Sequence, residues 1–196
     1  MEVKKIFNSK NILIKGPLLI TPDIFHDERG YFYESWNEEK FNYKLNKNVY
    51  FVQDNNSFSK KGVLRGLHFQ LNPYPQAKLI RVNSGKIFDV IVDLRRKSKT
   101  FGSWASIVLT SSNKHALWIP EGFAHGFLTL SNYAEISYKV TNFWKKDLEH
   151  SLLWNDKDVS ISWPKNFDKD LNFIISEKDQ NGITLNDLLI SEKIFI

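Results

Sequence analysis

The chain contains no cysteine. That excludes a disulfide framework, a thiolate metal site and a cysteine nucleophile. Long apolar runs are missing too: no stretch approaches the ~20 apolar residues that a membrane-spanning helix requires, so no membrane attachment is expected. The opening residues, MEVKKIFNSKNILIKG, are basic but lack the apolar run of a secretory signal, and a soluble cytoplasmic protein is expected. Histidine is sparse. His26, His68, His115, His125 and His150 include no His-x-His pair, and Phe69-Gln70 stands where a further ligand of a histidine-rich metal centre would follow His68. No metal is expected. The net charge of +5 suits a phosphate-bearing ligand, yet the lysines are scattered rather than clustered, which argues against nucleic-acid binding. No repeat, low-complexity tract or linker breaks the 196 residues, so a single domain spanning 1–196 with a full core is expected.

Aromatic residues, by contrast, are plentiful, with 15 Phe, 7 Tyr and 6 Trp. They recur in short runs separated by turn signals, as strands do. The runs at 18–20, 49–52, 79–82, 86–94, 106–109, 115–119 and 134–140 predict strands, and 30–36 predicts a strand leading into a helix. Asn83-Ser84-Gly85-Lys86 reads as a hairpin turn between two of them. Helices are expected only at 35–45 and near 184–189. In the first, Ser35 and Glu38 have capping-box spacing, and Phe41 and Leu45 share a face. Many short strands with few helices predict an all-β sandwich, barrel or jelly roll. The 86–94 run is apolar on both faces, as a doubly covered strand would be. A barrel mouth lined by inward-pointing side chains is a common ligand site.

Arg65-Gly66-Leu67-His68-Phe69-Gln70, with Lys78 further on, concentrates the chemistry. On a regular strand Arg65 and His68 would face opposite sides, so the chain must bend at Gly66 for them to converge. An imidazole that titrates near neutrality, beside two fixed cations, suits an anionic substrate that must lose a proton. The same residues are compatible with an ordinary core histidine next to a surface charge.

Several segments, taken in order, resemble one family. They are Asp27-Glu28-Arg29-Gly30, Phe51-Val52-Gln53-Asp54-Asn55, Val63-Leu64-Arg65-Gly66-Leu67-His68-Phe69-Gln70, Phe88-Asp89-Val90 with Asp93, Trp118-Ile119-Pro120-Glu121-Gly122-Phe123-Ala124-His125-Gly126-Phe127, Leu153-Trp154-Asn155-Asp156 and Ser176-Glu177-Lys178-Asp179. The chain resembles dTDP-4-dehydrorhamnose 3,5-epimerases. The resemblance implies an all-β, cupin-type jelly roll (a double-stranded β-helix) with a few short peripheral helices, and a metal-independent nucleotide-sugar epimerase. The implied substrate is a dTDP-linked 4-keto-6-deoxyhexose, made into a deoxysugar for dTDP-L-rhamnose and surface polysaccharide. Its ketone acidifies the neighbouring C–H bonds, so a base, an acid across the ring and a cation at the enolate oxygen suffice. No metal or redox cofactor is implied, because the carbonyl is itself the electron sink.

By the same resemblance His68 is the base, Asp179 the carboxylate that orients it, Lys78 the cation at the enolate and Tyr138 the acid on the opposite face. His125 is implied as a positioning donor. Arg29, Arg65 and Lys178 approach the substrate, Glu34, Gln53, Asn55 and Glu149 are polar positions of the same pocket, and Trp144 stacks on thymine. Two departures stand out. Phe143 replaces a second tyrosine of close relatives, and the 164–176 segment is longer than usual. The family's homodimers exchange N-terminal strands, which makes Arg29 available to the neighbouring subunit's pocket. The N-terminal strand and Leu188-Leu189-Ile190 are expected either at that interface or in the chain's own core. Three alternatives remain: a 3- or 5-mono-epimerase, or a relative acting on a differently modified nucleotide-linked 4-ketosugar, which shares the His, Asp, Lys and Tyr set; a metal-dependent cupin oxygenase or isomerase; and a non-catalytic sugar-nucleotide binder, for which that set would be superfluous.

Overall fold

The computed structural model describes residues 1–164, 172–191 and 194–195. The strands are β1 (Glu2–Phe7), β2 (Leu13–Thr21), β3 (Ile24–Asp27), β4 (Gly30–Tyr33), β5 (Gln53–Lys60), β6 (Val63–Gln70) and β7 (Lys78–Ser84). There follow β8 (Lys86–Asp93), β9 (Trp104–Thr110), β10 (Ala116–Ile119), β11 (Phe123–Thr129), β12 (Tyr133–Val140), β13 (Glu149–Ser151) and β14 (Ile174–Ile175). Helices are few and short: α1 (Glu38–Leu45), α2 (Glu177–Gln180) and α3 (Leu185–Ile190).

The first sheet runs β1-β2-β10-β7-β12-β5. The second runs β13-β6-β11-β8-β9, with β14 parallel to β6, and β3 and β4 form a hairpin of their own. Successive strands cross between the two sheets: β5 and β7 lie in the first, β6 and β8 in the second, and β10 and β12 return to the first around β11. This winding makes the expected jelly roll. It also corrects the reading of 83–86, which is not a hairpin. Gly85, at φ +84°, turns the chain from one sheet to the other, and a Cβ there would lie 2.1 Å from the Tyr133 carbonyl oxygen.

The core between the sheets includes Ile80 and Val82 of β7, Ile87 and Ile91 of β8, Leu117 and Ile119 of β10, and Phe123 and Phe127 of β11. Each fully buried apolar side chain contributes roughly 1.5–3 kcal/mol. A second cluster lies against the other faces of β6, β8 and β11. There Val90, Val92 and Leu128 pack with Leu152, Trp163, Leu185 and Leu188 of the C-terminal stretch. The apolar run at 86–94 is therefore covered on both sides. Of the C-terminal triplet, Leu188 is fully buried in this core while Ile190 is 73% exposed.

A third cluster seats α1 on the first sheet, where Phe41 meets Trp36 and Trp118 at ring centroid distances of 4.8 and 5.3 Å. Phe41 and Leu45 share that face as expected, but the helix starts later than the capping-box spacing suggested. Asn37 is the N-cap, its side chain accepting from the Lys40 N–H at 3.0 Å. Residues 49–52 do not form a strand; they feed Val49 and Phe51 into the α1 cluster before β5 begins.

Candidate active site

A cavity of about 500 Å³ opens between the sheets. From the first sheet it is lined by Gln53, Asn55 and Ser57 of β5, Lys78 and Ile80 of β7, and Ile136 and Tyr138 of β12. From the second it is lined by Arg65 and His68 of β6, His125, Gly126 and Phe127 of β11, and Glu149 of β13. Trp144, Gln76, Ser176, Lys178 and Asp179 complete it.

The bend expected at Gly66 is present. His68 pairs with His125 and Arg65 with Phe127, so β6 spends two residues where β11 spends one, a bulge that brings Arg65 and His68 to the same cavity. Gly66 has φ +113°, and a Cβ there would stand 2.6 Å from Gly126 Cα and 2.7 Å from the His125 oxygen. Only glycine fits.

His68 Nε2 lies 2.7 Å from Asp179 Oδ1. The carboxylate also accepts the Ser151 hydroxyl at 3.2 Å and the Gly66 N–H at 3.1 Å, while the Asp179 N–H bonds Ser176 Oγ, the N-cap of α2. Burial works to raise the Asp179 carboxyl, but the His68 hydrogen bond and charge, with the Gly66 and Ser176 bonds, hold it below its ordinary value. A fixed carboxylate on Nε2 leaves the other ring nitrogen for chemistry and stabilises the imidazolium.

Lys78 is buried on β7 and donates to the His68 carbonyl at 3.2 Å. Burial pushes its ammonium down to about 8. Tyr138, on β12 of the same sheet and opposite His68, lies between Asn55 and Ile80 in register. Burial, with the Glu149 charge, raises its phenol, so it keeps its proton at neutral pH. His125 Nε2 lies 2.9 and 3.0 Å from the two oxygens of Asp89, which is wholly buried. Burial pushes Asp89 up and His125 down. Among the described residues no three of His, Asp and Glu converge as a metal site.

Around these groups, Arg65 is braced by Ser59 Oγ at 3.0 Å and the Phe58 carbonyl at 3.3 Å, and Gln53 Nε2 donates to Asn55 Oδ1 at 2.8 Å. Lys178 pairs with Glu149. Burial tends to raise Glu149, but the bond to Lys178, the His68 charge and a Trp144 side-chain hydrogen bond bring it below its ordinary value. Phe143 is exposed and is not among the lining residues. Of the 164–176 segment, expected to be longer than usual, residues 165–171 lie outside the described residues.

Two expected positions are elsewhere in the chain. Arg29 sits at the turn of the β3–β4 hairpin, which pairs only with itself, and its guanidinium, 90% exposed, is bound by Asp27 at 2.6 Å. Glu34 is drawn to the start of α1 by Lys40 and Asn37, beside a separate small cavity. Conversely, sequence reasoning passed over Ser57, Gln76, Ser176 and the partner role of Asp89. The signal for Ser57 was its spacing of two from Asn55 and Gln53; that for Asp89 was an acid in the middle of an apolar strand. Ser57 Oγ is buried with no protein hydrogen-bond partner among the described residues.

Comparison with known proteins places this geometry. A family profile described as dTDP-4-dehydrorhamnose 3,5-epimerase matches residues 11–187. The chain is 52% identical over 169 residues to the dTDP-4-dehydrorhamnose 3,5-epimerase of Shigella flexneri, covering 86% of this chain and 91% of that one. A dTDP-6-deoxy-D-glucose-3,5-epimerase of Legionella pneumophila, solved in complex with dTDP-4-keto-L-rhamnose, superposes with a TM-score of 0.87 at 40% identity, covering 99% and 98% of the two chains. A 3'-monoepimerase of Streptomyces bikiniensis, in complex with dTDP-quinovose, superposes with a TM-score of 0.86 at 30% identity, covering 92% and 89%.

Proposed function

The chain belongs to the dTDP-4-dehydrorhamnose 3,5-epimerase family, and from that premise we propose how its cavity inverts the two carbons flanking the ketone of a dTDP-linked 4-keto-6-deoxyhexose. It is an isomerase of the dTDP-L-rhamnose route. One observation carries the assignment of roles: His68, bonded to Asp179, stands on one sheet and Tyr138 on the sheet facing it, with the cavity between.

His68 takes a proton from a carbon beside the ketone, the C–H electron pair moves into the ring, and negative charge gathers on the carbonyl oxygen. The Lys78 ammonium stabilises that oxyanion. Tyr138 then delivers its proton from the opposite side, so the carbon is inverted and the ketone restored; exchange with solvent resets imidazole and phenol. The step repeats at the second carbon. His125, held by Asp89, positions the sugar. Arg65 and Lys178 meet the diphosphate, Gln53, Asn55 and Glu149 the polar groups of the substrate, and Trp144 stacks on the nucleobase.

We read the whole chain as one domain, because the C-terminal stretch supplies both Asp179 and half of the second core. The same reading makes the protein a cytoplasmic homodimer. No helix among the described residues is long and apolar enough to cross a membrane, and a charged nucleotide sugar does not cross a bilayer unaided. The self-paired β3–β4 hairpin exposes Phe25 and Phe32 by 63% and 67%, a surface suited to a second subunit, and carries Arg29 toward that subunit's cavity.

The test is turnover of dTDP-4-keto-6-deoxyglucose in deuterated water. Deuterium is expected at both carbons beside the ketone, and His68→Asn should abolish both incorporations while dTDP affinity stays within about twofold. Label at one carbon alone would make the protein a monoepimerase, and unimpaired exchange in the variant would remove His68 from the mechanism.

A further inference from the structure

Gln70 lies two residues beyond His68 on β6, only 2% exposed, yet it does not line the cavity. A buried primary amide must place both its donors and its acceptor. Here every bond goes to main chain of the two loops that follow β6 and precede β13. Nε2 donates to the Tyr74 carbonyl and, at 3.1 Å, to the Phe143 carbonyl, and Oε1 accepts the Lys145 N–H at 2.8 Å. Phe143 and Lys145 flank Trp144, whose own N–H is bound by Gln53 Oε1 at 3.2 Å. Three consecutive main-chain groups are thus held by glutamine side chains, and the two on either side of Trp144 belong to one residue.

The Trp144 indole needs such support. The residue is 50% exposed, and stacking on a nucleobase depends on the tilt of the ring plane. Gln76 and Asn142 join the two loops through the Asn142 and Pro75 carbonyls, at 2.8 and 2.7 Å, but they stop one residue short of Phe143. We infer that Gln70 is a positioning residue for Trp144 and sets the affinity of the cavity for the nucleotide end of the substrate without entering the proton transfers. The inference rests on the stacking role given to Trp144 above. At ~3.3 Å per residue, Gln70 and His68 lie ~7 Å apart on one strand, so the base and the brace of the nucleotide-binding loop share a rigid backbone.

Gln70→Met keeps the length of the side chain and deletes the amide. It should weaken dTDP binding, measured by calorimetry, about tenfold, raise KM in parallel and leave kcat within about twofold. In a Trp144→Ala background the same substitution should change dTDP affinity by less than about twofold, because the ring it positions is already gone. Unaltered dTDP affinity in Gln70→Met, or losses that multiply in the double variant, would overturn the inference. A parallel fall in kcat would reveal a merely structural role and overturn it equally. Should Gln70→Met fail to fold, Gln70→Glu, which keeps the volume and the acceptor for Lys145, enters the same cycle under the same criteria. Trp144→Ala with native dTDP affinity would remove the stacking role itself, and the inference with it, without touching the assignment of His68.

Discussion

Lys78 shows what burial of a single cation costs in stability. Its ammonium donates to one main-chain carbonyl and, among the described residues, forms no ion pair. Burial brings it down to about 8. The unfolded chain holds that proton up to its ordinary value of about 10.4. Between the two values the unfolded state binds the proton and the folded state does not, so stability rises with pH across that window; below about 8 both bind it and the penalty is complete. Lys78→Met should therefore raise unfolding stability at pH 7 by about 1–3 kcal/mol in a denaturant titration while abolishing turnover. In the native enzyme kcat/KM should fall as pH rises through about 8, and Lys78→Arg should displace that limb to higher pH whatever its absolute rate. A limb that stays at its original pH in Lys78→Arg would assign the titration to another group. At this scale the sequence disclosed the cast better than the contacts. His68, Asp179, Lys78 and Tyr138 all line one cavity, but the bond between Asp179 and the Gly66 N–H joins residues too distant in the chain to be foreseen.

Among the elements, β6 with its bulge does most to place the site. Gly66→Ala should cost about 2–4 kcal/mol, since both the positive φ and the approach of Gly126 oppose a methyl group. It should also lower kcat disproportionately, because the Gly66 N–H bonds the carboxylate that orients His68. Thermal unfolding and kcat measured side by side check this; a stability loss with normal kcat would separate the bulge from the base. Strands built for the core were legible: 79–82, 86–94 and 134–140 appear as parts of β7, β8 and β12 because their apolar residues have somewhere to go. β5 was not. Its sequence, QDNNSFSK, is poor in strand formers, since the alternate residues Gln53, Asn55 and Ser57 face the cavity rather than the core. The apolar run just before it, 49–52, was read as the strand in its stead, although its hydrophobicity serves α1. The error at 83–86 has another cause, for a turn sequence reports a change of direction but not which sheet the chain enters next.

At the level of the molecule, the proposed dimer makes a test that one chain cannot pass alone. If Arg29 serves the partner's cavity, Arg29→Ala and His68→Ala should each be nearly inactive, and their mixed, re-equilibrated preparation should regain about a quarter of the wild-type rate, because half of the dimers are hybrids with one intact site of two. A mixture as inert as its components would return Arg29 to its own chain. The fold carries one more consequence. Asp179 reaches β6 from the same late stretch, Leu152 to Leu188, that seals the second core cluster. A nascent chain halted before that stretch, or one clipped by a protease ahead of Ser176, would keep its imidazole and lose the partner that orients it. The imidazole thus gains its carboxylate partner only once the C-terminal stretch is in place.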